Sequence, residues 1–170
     1  MPDGSASEAL RTAQVERLLE AAAATIAEVP FCWVVTAGAG GGANARIVKT
    51  QTGNPGEDRW TRWFLTPRAG RKAAEIARSG RVTLAYQHVS GSGYVALAGH
   101  AELIDDRAEV DCRFGGSDDD PDGTIAARLI AVRVNADHLE LHLRGVTAEP
   151  WGHGRTLLDR APDGSWRFSA

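Results

Sequence analysis

The chain has 170 residues, a formal net charge of −3 and a sequence pI near 5.9. That charge excludes a bulk attraction to nucleic acid or to a membrane surface, which needs a large positive field, so any anion site must be local. The length suits one domain with a real core, and the two cysteines, Cys32 and Cys112, make neither a disulfide framework nor a metal or redox motif.

The N-terminus lacks a basic segment followed by an apolar core, so it does not read as a signal peptide. No apolar run approaches the ~20 residues of a membrane span. The expectation is a soluble cytoplasmic protein. Ser5 and Glu8 stand at capping-box spacing. Val15, Leu18, Leu19, Ala22, Ile26 and Val29 then recur at helical intervals. Residues 1–29 are therefore predicted as one amphipathic helix, stopped near Pro30, with residues 30–170 forming the main domain. "FCWVVTA" reads as a strand, "GAGGGA" breaks it, and "NARIVKTQT" resumes it, which makes a hairpin. "RWTRWFLT" is a third strand, Gly70 to Arg78 a short helix, and Ser79-Gly80 its stop. "RVTLAYQ" and "GYVALAGHAEL" are two more strands, and "IDDRAEVDCRF" a short helix. After the acidic loop "GGSDDDPDG", four strands close the chain: "RLIAVRVN", "HLELHL", "RTLLDR" and "WRFS". Nine short strands with turns between them predict a mainly β protein with flanking helices, built as an antiparallel barrel.

Several motifs carry less than their letters suggest. Gly38 to Ala43 matches the dinucleotide fingerprint, but that fingerprint needs a helix to follow, and Arg46-Ile47-Val48 is strand-like. Asp118 to Gly123 opens like a calcium loop, yet the twelfth position is Leu129 rather than a bidentate Glu. His138 and His142 fall on one face of a strand, too few to hold zinc, and read as residues of an exposed face. Cys32, in an apolar strand, reads as a small core residue.

One junction stands out. Thr66 ends a strand, Arg68 lies in the turn, and Arg71 and Lys72 open the next helix. A helix N-terminus offers free amides and a favourable dipole to a phosphate. Arginine adds a planar fork and lysine a point charge. Cations in a first turn oppose the dipole, a cost that an anion would offset. Local sequence leaves both readings open: an anion site, or ordinary surface cations.

Four stretches taken in order, "RIVKTQ", "FLTPRAGRKAAEIARSGRVTLAY", "YVALAGHAEL" and "WGHGRTLLDRAPDGSWRF", resemble the motifs of the pyridoxamine 5'-phosphate oxidase-like flavin proteins, general-stress branch included. The resemblance covers about residues 30 to 169. It implies a split β-barrel, a homodimer, and FMN bound at the dimer interface. It places Arg46 on the FMN phosphate and the backbone of Ile47 and Val48 against the flavin ring. Thr66, Arg71 and Lys72 would complete the phosphate grip. Trp151 and Arg160 would be cofactor contacts given by the second subunit. Outside the resemblance, the apolar stripe of the N-terminal helix needs a partner, so that helix is expected to cover the barrel or the dimer seam.

The departures from the family pattern are as informative. The substrate-binding lysine of the true oxidase falls on Gln51, the terminal Arg-x-His on Thr156 and Leu158, and a glutamine on Tyr94. The cofactor half of the pattern survives and the vitamin half is missing. The expectation is an FMN-binding oxidoreductase that meets a small organic substrate or a nicotinamide donor and does not oxidise pyridoxamine phosphate. A flavin-binding stress protein without turnover, and F420 or haem in place of FMN, are the alternatives.

Overall fold

The computed structural model describes residues 4–91, 93–114, 123–147 and 155–169. In chain order the elements are α1 (Gly4–Glu28), β1 (Phe31–Ala37), β2 (Ala43–Lys49), β3 (Gln51–Thr52), β4 (Thr61–Pro67), α2 (Arg71–Ser79) and β5 (Arg81–Gln87). There follow β6 (Gly93–Ile104), α3 (Arg107–Phe114), a single 3-10 turn (Ala126–Arg128), β7 (Leu129–Leu143), β8 (Thr156–Arg160) and β9 (Trp166–Phe168). Two compact units divide the chain. One holds residues 31–84 and 98–136, and the other holds residues up to 30, 85–97 and 137–170.

The first unit carries most of the expected site residues. The strands run in the order β2-β1-β5-β6-β7-β4-β3, with β5, β6 and β7 continuing into the other unit. The ends of that order, β2 and β3, are separated in the chain only by Thr50. The sheet therefore curls until its two ends approach each other, with no ladder joining them among the described residues, which is a barrel left split along one seam. β1 and β2 pair antiparallel through a tip at residues 38–42, where Gly41 takes a φ of 85°. The glycine run is a hairpin turn, and a strand follows it, which removes the dinucleotide fingerprint. The two faces of β4 do different work. Trp63 and Leu65 pack with Val110 of α3, Ala126 and Ala131. The Arg113 guanidinium lies 3.7 Å from the centre of the Trp63 ring. Phe64 and Thr66 point to the opposite face, because side chains alternate along a strand, and Lys72 of α2 lies over the Phe64 ring.

In the second unit α1 buries Val15, Leu18, Leu19, Ala22, Ile26 and Val29, the apolar stripe read from its periodicity. The helix begins at Gly4, so Ser5 lies inside it rather than at its cap. Strands β7, β8 and β9 pair antiparallel there. Two strand boundaries differ from expectation. "RLIAVRVN" and "HLELHL" are one continuous strand, β7, because Asn135 stays extended opposite Thr61, whose hydroxyl bonds its side-chain oxygen at 3.1 Å. "NARIVKTQT" is two strands, β2 and β3, broken at Thr50. The pair of histidines also differs: His138 is half-exposed and bonds Asp159 at 2.6 Å, but His142 is buried.

Candidate functional site

α2 starts without a side-chain cap. Gly70 is its N-cap, in extended conformation, and no side-chain cap hydrogen bond forms there among the described residues. Gly70 follows a tight turn closed by its N–H to the Pro67 carbonyl at 2.9 Å, and a Cβ at Gly70 would come within 3.0 Å of that oxygen. The turn brings the helix N-terminus back against the end of β4, where Thr66 sits.

Thr66 is 1% exposed, and its hydroxyl has no hydrogen-bond partner among the described residues. A buried hydroxyl without a partner costs about 1–3 kcal/mol, so it is rare unless a ligand completes it. Lys72, the second residue of α2, is half-buried, with Nζ 5.4 Å from the Phe64 ring centre. Burial, and then the nearby Arg46 cation, hold its pKa below the usual lysine range. Among the described residues no carboxylate pairs with it. A buried hydroxyl, uncapped amides and a destabilised ammonium thus all belong to the junction where β4 passes into α2, and all three are groups that a phosphate satisfies.

The two arginines are placed differently from the expectation. Arg46, on β2, donates to the Thr36 hydroxyl and to Glu75 Oε2, both at 3.3 Å. Arg71 is largely exposed and lies 3.6 Å from Glu75 Oε1. Glu75, at 7% side-chain exposure, also accepts from Thr36 Oγ1 at 2.5 Å and Asn44 Nδ2 at 2.6 Å. The Thr36 hydroxyl first, then Arg46 and Asn44, hold its carboxyl below the usual range against the upward push of burial. Thr36 and Asn44 are cross-strand partners in the β1–β2 register, so the hairpin presents both to one side. Glu75 was not among the residues expected here. Its local signal, Arg71 four residues earlier on a helix, is that of any solvated ion pair. A cavity of about 560 Å³ opens beside it, between the hairpin tip and α2, lined by Asn44, Arg71, Glu75 and Arg78 among others.

Arg68, the third cation of the junction, pairs with Asp105 and so is engaged elsewhere. Val48 is buried, while Ile47 is 59% exposed beside its cross-strand partner Trp33, 47% exposed; with Phe31 they form an apolar stripe on the outer face of the hairpin. Arg160 belongs to the other compact unit, at the end of β8, where its Nε donates to the Gly164 carbonyl at 3.3 Å. Trp151 lies outside the described residues. Of the positions where the vitamin-handling groups were missing, Gln51 donates to the Arg113 carbonyl at 2.8 Å and Leu158 is fully buried. Tyr94 donates to Glu140 at 2.7 Å; burial and that bond push its pKa up to about 12. Among the described residues no cluster of His, Cys, Asp and Glu could hold a metal ion, and no helix is long and apolar enough to cross a membrane.

The fold and this site can be set beside known proteins. No curated protein matches the chain. Among solved structures it is similar to a protein related to general stress protein 26 from Clostridium acetobutylicum: 15% identity, 85% of this chain and 94% of that one covered, TM-score 0.64. It is also similar to a pyridoxamine 5'-phosphate oxidase-related, FMN binding protein from Nostoc punctiforme, at 14% identity, 94% and 95% coverage and a TM-score of 0.60. A third is PhzG from Burkholderia lata, solved with tetrahydrophenazine-1-carboxylic acid, at 16% identity, 91% and 88% coverage and a TM-score of 0.62. At such identities the likeness is one of fold. The sequence itself carries the relationship: residues 18–142 match the family model described as Pyridoxamine 5'-phosphate oxidase. With that match running through well over half of the chain, and with the split β-barrel of its neighbours, the protein belongs to the pyridoxamine 5'-phosphate oxidase family.

Proposed function

We propose that the protein is a homodimeric FMN-binding oxidoreductase acting on a small organic substrate other than pyridoxamine phosphate. The observation that carries this reading is the unpartnered hydroxyl of Thr66, buried beside the uncapped start of α2. Thr66 would donate to the phosphate, the first-turn amides would add their dipole, and Lys72, Arg71 and Arg46 would balance its charge. A bound FMN supplies hydride or electron transfer at its ring. The chain's own part is to hold the phosphate, orient the ring along the Arg46–Val48 strand and exclude water. The apolar stripe of Phe31, Trp33 and Ile47 covers the outer face of the β1–β2 hairpin that carries Arg46 on its other face, which supports a second copy packed on that hairpin. The engaged Gln51 and the buried Leu158 support a substrate other than the vitamin.

The visible absorption spectrum of the purified protein, taken before and after adding FMN and desalting, tests the reading. A retained flavin band is expected, and Lys72→Glu should lose it. A protein that stays colourless after both treatments would overturn the proposal. If the band is retained, its bleaching by a nicotinamide donor and its return with an acceptor distinguish turnover from storage.

A further inference from the structure

Glu75 presents four donors with one buried carboxylate. Oε2 accepts from Thr36 and Arg46, while Oε1 accepts from Asn44 and faces Arg71. These partners come from β1, β2 and α2 itself, so a single side chain ties the hairpin that carries Arg46 to the helix that carries Lys72. A glutamine could not replace it, because an amide has one acceptor oxygen and would turn its N–H groups toward two of the donors. The placement is also costly, since a negative charge this close to an anion site repels the ligand that the cations attract.

We propose that Glu75 is a positioning residue for the phosphate grip. It holds Arg46 in one orientation directly and through Thr36, with Asn44 fixing the carboxylate itself, and the affinity won by that fixed geometry exceeds what its charge costs in repulsion. The inference rests on the flavin reading of the same site and deepens it. Arginine loses much rotamer freedom on binding, so a guanidinium already oriented before the ligand arrives binds a phosphate more tightly than a mobile one.

This makes a prediction opposite in sign to simple electrostatics. Removing a negative charge beside an anion site should tighten anion binding if that charge merely repels. Glu75→Gln is instead expected to weaken FMN about ten-fold, the scale of one charge-assisted hydrogen bond, and to leave riboflavin, which lacks the phosphate, nearly unchanged. In an Arg46→Ala background the same change should cost less than about two-fold, because residues acting through one another are not additive. Thr36→Val, an isosteric change that removes one donor and leaves all charges, should weaken FMN in the same direction and decides the matter if Glu75→Gln fails to fold. Equal or tighter FMN binding in Glu75→Gln would overturn the proposal, as would parallel losses of FMN and riboflavin.

Inorganic phosphate, followed by phosphorus NMR, separates this inference from the reading beneath it. A wild-type protein that ignores FMN but binds phosphate, and loses phosphate in Glu75→Gln, would keep the positioning role and discard the flavin. A protein that binds neither would discard both.

Discussion

Thr66 gives the sharpest test at the scale of one residue, because its hydroxyl is a liability in the free protein and an asset in the complex. Thr66→Val keeps the shape and removes a buried hydroxyl with no partner. The free protein should be as stable as before or more so, by up to about 1 kcal/mol, since deleting an unsatisfied group removes a desolvation penalty. FMN affinity should fall about ten-fold or more, the scale of a hydrogen bond to a charged acceptor. Thermal melts with and without FMN would show the two effects with opposite signs. A variant that loses stability while keeping its affinity would remove Thr66 from the grip. That Thr66, Arg71 and Lys72 lie at one strand-to-helix junction was legible in the sequence, because strand end and helix start are adjacent in the chain. Glu75 was not legible. Its burial depends on Thr36 and Asn44, which lie 39 and 31 residues away and reach it only once the hairpin has docked on α2.

At the scale of the elements, the tightest point is the crossing of β6 past β7. A Cβ on Gly99 would sit 2.1 Å from the Asn135 carbonyl oxygen, and the obstacle is backbone, which cannot swing aside. Gly99→Ala is expected to cost about 3 kcal/mol or more, the upper range for overpacking, or to abolish folding. Chemical denaturation measures it, and a loss below about 1 kcal/mol would mean that the strands can move apart. The strands themselves were legible from alternation and turn residues, and the helical stripe of α1 from its period. The exceptions share a physical cause. Asn135-Ala136-Asp137 has turn composition, yet Asn135 is held extended by Thr61 and its ladder on β4, a tertiary contact that overrides local preference. His142 was expected on an exposed face, but the turn at residues 144–147 brings Thr147 Oγ1 within 3.4 Å of its Nδ1, where that oxygen also accepts from the Leu143 amide at 3.0 Å.

At the scale of the whole molecule, the question is what covers Phe31, Trp33 and Ile47. Three large apolar side chains on neighbouring strands are more than scattered surface hydrophobes. Sedimentation velocity over a dilution series should find a two-copy species for the wild type, with Trp33→Glu shifted toward one copy. A wild type that sediments as a single copy at every concentration would leave the stripe to another partner and the proposed shared cofactor without its second half. The same hairpin has a consequence for handling the protein. Among the described residues β2 ends the strand order and no ladder joins its outer backbone edge, which lies next to the apolar stripe. Such an edge recruits like edges and precipitates unless something spoils the match, and an inward-pointing charge is one such guard. Arg46 is that charge, so Arg46→Ala is expected to self-associate more readily than the wild type as concentration rises, which light scattering over a dilution series measures.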